Sequence, residues 1–212
     1  MHLVNGTLSA SLPFRLHLPD GRTRTSLHEL SEAELAELNI YPVDEVRPPL
    51  TWTQHYGVPV IEVTDGRATA TYPVLDHSPD EVAGILEAAK SAKRAEIAAA
   101  RWQEMSEPTQ VSGYDALWFA DKEAMNDMLR ASSDLQTAIQ LGHLPEDTTL
   151  QWKTADGSFV TVSLDDLVTV RLLLSQRQQT LYAKEAMLSA AIDACETPQE
   201  VEAIAWSMPA SS

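Results

Sequence analysis

The chain has 212 residues, 44% of them hydrophobic and 22% charged, and its 31 acidic and 15 basic side chains give a formal net charge of −16. This is the composition of an ordinary globular protein, and no apolar run approaches the roughly 18 residues that a membrane span requires. The acidity is spread, with 10 acidic and 5 basic residues in 1–78, 5 and 4 in 79–104, and 16 and 6 in 105–212. No membrane or nucleic-acid partner is therefore expected, because an acidic chain without a basic face repels both. The carboxylates alternate with apolar positions instead of clustering, which argues against a mimic of DNA.

Residues 1–78 hold most of the prolines and read as a β-rich domain. FRLHL (14–18) and RTRTS (22–26) flank Pro19-Asp20-Gly21, and VPVIEV (58–63) and ATATY (68–72) flank Asp65-Gly66. Asp-Gly between alternating runs predicts a hairpin in each case, and Pro59 and Pro73 place those strands at an edge or near an end. Between the hairpins, Ser31 and Glu34 form a capping-box pattern that opens a short helix, SEAELAEL, closed by Asn39 before a strand-like IYPV. Residues 44–57, with Pro48-Pro49, read as an irregular loop.

Residues 79–104 predict one long helix linking two domains. Ser78 as N-cap, Pro79 at the first helical position and Glu81 three residues after the cap agree on its start, and at 1.5 Å per residue it would reach about 39 Å. Ile85, Ala88, Ala92, Ala95, Ala99 and Trp102 are spaced 3, 4, 3, 4, 3, a heptad seam. Two readings stand: the seam packs on its own chain, or it forms a short parallel coiled coil joining identical chains, a trimer among the forms allowed.

Residues 105–212 read as a helical domain with one hairpin at 150–163. A helix from about 120 closes at Leu141-Gly142. LQWKT and SFVTV then flank Ala155-Asp156-Gly157, and Ser163 with Asp166 caps the next helix. Along it Leu167, Leu174, Leu181 and Leu188 recur every seven residues, with Leu164 and Ile192 near the same face, so one stripe is buried. Thr197, Pro198 and Glu200 open a last short helix carrying Val201, Ile204 and Trp206. The fold class expected is α+β.

Nothing in the sequence announces catalysis. The eight glycines form no phosphate-binding loop, the six histidines are scattered, and no HExxH or GxSxG occurs. Cys195 is the only cysteine and reads as a small buried helix residue. The pairs Asp44-Glu45, Glu146-Asp147 and Asp165-Asp166 fall in loops or a first helical turn, where acids favour water or the helix dipole. No catalytic, cofactor-binding or metal residue is assigned, and no enzyme or cofactor is expected. Trp118, Trp152 and Trp206 are expected in the C-terminal core, and Trp52 and Tyr56, on the proline-rich loop, against a partner. The opening MHLVNGTLSASLPF lacks the features of a secretory signal, so the chain is expected to stay where it is made.

Three stretches carry a family resemblance: KRAEIAAAR (93–101), the hairpin in WKTADGSFVTVSLDDLVTV, and LYAKEAMLSAAIDACETPQEVEAIAW, over about 93–206. Together they resemble an uncharacterised C-terminal domain of tailed-bacteriophage proteins encoded near tail-fibre genes; RTSLHELSEAELAELNIYPV also looks like phage tail proteins. The resemblance implies a virion tail component made in the host cytoplasm, a structural and adaptor part of a tail fibre or baseplate that contacts other tail proteins; the alanine seam adds the expectation of a homo-oligomer, in which three chains could pair. The alternative it leaves open is a tail-fibre assembly chaperone not retained in the virion.

Overall fold

The computed structural model describes residues 1–18 and 20–207 and is an α+β structure of two compact units, divided between Ala83 and Gly84. Pro19, the first residue of the first expected Asp-Gly turn, and residues 208–212, the end of the expected 105–212 domain, lie outside the described residues.

The first unit opens with a hairpin of β1 (His2–Val4) and β2 (Thr7–Ser9). Asn5 and Gly6 join the strands with φ of 48° and 82°, the two left-handed residues of a turn whose twist matches that of its strands. A second hairpin pairs β3 (Arg15–His17) with β4 (Thr23–Thr25). A single 3₁₀ turn (Leu27–Glu29) leads to α1 (Glu32–Glu37), where Ser31 and Glu34 form both bonds of the capping box. Asn39 (φ 56°) reverses the chain into β5 (Ile40–Val46). There follow β6 (Gln54–Tyr56), β7 (Val60–Thr64), β8 (Arg67–Thr71) and β9 (Val74–Asp76).

Five of these strands make one mixed sheet in the order β2-β1-β5-β8-β7, antiparallel throughout except for β5 with β8, where Val43 lies opposite Ala68. Leu16, Leu27, Leu35 and Ile40 form its buried cluster, with Val4, Leu12, Leu18, Leu30 and Leu38 against them. The expected loop at 44–57 is only partly a loop. Strand β5 continues to Val46 because its second half pairs with β8, and Arg67 holds Asp44 there through two nitrogens at 3.1 Å. Residues 54–56 then pair with β9, which leaves as irregular residues 47–53, around the two prolines, and Gly57.

Helix α2 (Pro79–Ser106) begins as expected: the Ser78 N–H and hydroxyl each donate to Glu81 Oε2 at 2.8 Å, and the Glu81 N–H donates to Ser78 Oγ at 3.3 Å. Most of the helix belongs to the second unit. There it is followed by a two-strand pair, β10 (Thr109–Gln110) with β11 (Leu117–Trp118), then α3 (Lys122–Gln140), the hairpin β12 (Thr149–Lys153) with β13 (Phe159–Ser163), α4 (Leu164–Ala194) and α5 (Pro198–Ala203). Two clusters fill this unit. Trp118, Met128, Val162, Leu167, Val170 and Leu174 build one around the hairpin and α3; Ile97, Leu188, Ile192, Val201 and Ile204 build the other. Ile97 lies in α2, so this helix is a wall of the C-terminal unit. The helix read as a link between two domains thus also contributes to the core of the second unit.

Candidate functional site

Helix α2 carries two faces of opposite character. One packs on α4 and α5: Ile97 is fully buried, with Leu86 and Ala89 beside the same cluster. The charged residues cluster toward this side. Lys90 Nζ donates to the Asp193 carbonyl at 2.8 Å, Arg94 bonds Glu87 at 3.0 Å and also the Asp193 carboxylate, and Arg101 Nε stands 2.7 Å from Glu185 Oε2. Glu104 accepts from Trp206 Nε1 at 2.6 Å.

At about 100° per residue the expected seam lies on the far side from Ile97. Ile85, Ala88, Ala92, Ala95, Ala99 and Trp102 are all exposed, so the structure does not pack this stripe on its own chain. It uses a second, polar-edged stripe for that purpose. An all-alanine centre presents little side-chain bulk and would let another helix approach closely.

Trp102, 59% exposed, has a second role. Together with Met105, one turn on, it forms a wall of a cleft of about 280 Å³. The start of α3 supplies Asp121 and Asn126, and α4 supplies Gln178 and Tyr182. Gln178 Nε2 donates to the Ala120 carbonyl at 3.0 Å, and Asp121 Oδ1 accepts from the Ala124 N–H at 2.9 Å as the N-cap of α3. Sequence reasoning missed this cleft. Its residues come from three helices and span positions 102 to 182, and only the i, i+4 spacing of Gln178 and Tyr182 hints at a shared face.

Of the two residues expected on a partner surface, Tyr56 is engaged within the first unit. Tyr56 is half-buried in β6, donates its hydroxyl to the Pro48 carbonyl at 2.5 Å and meets the edge of Tyr72 at 5.7 Å, while the Arg47 guanidinium lies 4.4 Å over Tyr72. Tyr56 thus holds the proline loop down. Trp52 is half-buried in the turn before it. Of the aromatics expected in the C-terminal core, Trp118 is buried and Trp152 and Trp206 pack against the two clusters. Cys195 is half-buried at the end of α4, its thiol donating to the Ala191 carbonyl at 3.3 Å. Among the described residues no group of three or more His, Cys, Asp or Glu is placed to hold a metal ion, and no helix is long and apolar enough to cross a membrane.

A family model described as a domain of unknown function (DUF4376) matches residues 88–205, more than half of the chain. The chain belongs to the DUF4376 family. The matched span starts inside α2 and ends just after Ile204, so the DUF4376 domain takes in the part of α2 that carries Ile97, Arg101 and Trp102 together with both C-terminal clusters. No curated protein and no solved structure matches the chain.

Proposed function

We propose that this protein is a structural and adaptor component of a bacteriophage tail, in a fibre or baseplate, that acts through contacts with other tail proteins and with copies of itself. The observation that carries the self-association is the exposed row Ile85, Ala88, Ala92, Ala95 and Ala99 on the outward side of α2. A row without charge, on a chain of net charge −16, is where two copies meet with least repulsion. The phage setting rests on the resemblance of the hairpin and its flanking helices to tail-fibre-associated proteins.

Two measurements test this reading. Light scattering of the purified protein gives an oligomer mass that falls to the monomer in the double variant Ala92→Glu, Ala99→Glu, with the melting of the C-terminal unit retained. A wild-type mass already monomeric rejects the seam. Mass spectrometry of purified particles finds the protein in fixed stoichiometry; its absence from particles in cells that contain it favours the assembly chaperone instead.

A further inference from the structure

We propose that the cleft between α2, α3 and α4 is a carbohydrate site that takes one neutral hexose ring, free or as a unit of a glycan. Two large aromatic side chains, Trp102 at 59% and Tyr182 at 44% exposure, rim one concavity. Water-exposed aromatic faces gain from a partner that is apolar on its surface and hydroxylated at its edge, which describes the C–H face of a pyranose. Tyr182 is fixed in place: the Arg101 guanidinium lies 4.6 Å over one face of its ring, and Glu185 anchors that guanidinium. The ring keeps 44% of its surface exposed and lines the cleft, so its orientation is set before binding.

The polar groups fit hydroxyls better than an apolar anchor. Gln178 gives one of its two N–H donors to Ala120, which leaves Oε1 as an acceptor, and Asp121 spends Oδ1 on its helix cap, which leaves Oδ2. Asn126, exposed on the next turn of α3, adds a planar amide with both a donor and an acceptor. At about 280 Å³ the cleft lies just under the roughly 300 Å³ at which pockets for drug-sized ligands begin, so it holds no more than one ring. Lys122 offsets Asp121 locally, and the net charge of −16 repels acidic sugars at longer range. Asp121 is the one carboxylate of the lining; cleavage of a glycosidic bond needs a pair, so the site holds sugar and does not hydrolyse it.

Saturation-transfer NMR on the full chain, with the methyl glycosides of glucose, galactose, mannose and N-acetylglucosamine as probes, tests the site. At least one probe is expected to receive saturation, with an affinity that falls about tenfold or more in Trp102→Ala and in Asn126→Ala. Asn126 is exposed, so its variant keeps the fold even if the tryptophan variant does not. The proposal is overturned if none of the four probes receives saturation, or if binding is unchanged in both variants. It is also overturned if no probe binds while Trp102→Ala lowers the oligomer mass, since the cleft then seats a side chain of a second copy. Trp102 is the one residue the cleft shares with the expected seam, and none of the seam's alanines lines it, so a monomeric protein that binds sugar rejects the seam and leaves the site standing.

Discussion

Arg101 of α2 and Glu185 of α4 face each other at 2.7 Å, with only 15% and 24% of their side chains exposed. The contact runs off the N–H direction, so it is held by charge more than by a linear hydrogen bond. It joins the two longest helices among the described residues next to the Tyr182 ring. Glu185→Ala strands a shielded guanidinium and is expected to lower the stability of the C-terminal unit by about 1–3 kcal/mol. Replacing both residues by apolar ones of similar volume is expected to recover much of that loss. Urea unfolding of the two single variants and the double variant measures the coupling.

The two faces of α2 make opposite predictions for two neighbouring positions. Ile97 is fully buried against Leu188 and Ile192, and Ile97→Ala is expected to cost about 2–5 kcal/mol through lost contact and an unfilled cavity. Ala92 is exposed, and glutamate there is expected to change the stability of the monomer by no more than about 0.5 kcal/mol while removing self-association. Denaturation midpoints and scattering mass, read on the same samples, separate the two effects. An Ala92→Glu protein as unstable as Ile97→Ala would place the alanine row inside the monomer.

Helix starts and turns were legible because a few adjacent residues decide them. Ser31, Ser78, Ser163 and Thr197 each cap a helix with an acid three residues on, and Asp-Gly or Asn-Gly supplies the left-handed backbone at β-turns. The Asn5-Gly6 turn was equally legible, yet the three-residue strands beside it are too short to show alternation. What local rules could not supply is which face of α2 meets its own chain. The alanine row has the better heptad spacing, but the buried face is set by Ile97 together with Lys90, Arg94 and Arg101, whose partners Asp193 and Glu185 lie about 84–103 residues away. Charged residues at such positions read as solvent-facing in sequence, and here their stems and heads close the edge of a core. The parallel pairing of β5 with β8 and the three-helix cleft are non-local in the same way.

Asp156, at the tip of the β12–β13 hairpin, is an exposed acid with an acid-range signature. Its carboxylate accepts first from the Thr154 hydroxyl at 2.6 Å, then from the Ser158 N–H at 3.0 Å and hydroxyl at 2.8 Å, and these bonds hold its pKa down to about 2. An ordinary Asp titrates near about 3.9. An acid whose pKa is lower in the folded state stabilises the fold above its unfolded value and loses that contribution as pH falls through its folded value. The hairpin is therefore expected to lose stability between about pH 4 and about pH 2, and Asp156→Asn is expected to flatten that part of the curve. Urea midpoints of the C-terminal unit at several pH values across this window check it, and an unchanged acid slope in the variant would refute the assignment.

The Ser163 cap couples the hairpin to the 31-residue helix α4. Asp166 Oδ2 accepts from the Ser163 N–H at 2.9 Å and hydroxyl at 2.7 Å, while Oδ1 accepts from the Tyr114 hydroxyl at 2.9 Å. One carboxylate thus ties the end of β13, the start of α4 and the segment before β11. Ser163→Ala removes the bond to the Asp166 N–H at 3.2 Å and is expected to cost about 0.5–2 kcal/mol. Tyr114→Phe deletes one hydrogen bond and is expected to cost about 1 kcal/mol, with its ring still packed edge-on to Trp118 at 5.8 Å. Because the two bonds end on one carboxylate, the double variant is expected to depart from the sum of the single ones by about 0.5 kcal/mol or more. Strict additivity in chemical denaturation would show that Asp166 serves the two partners independently.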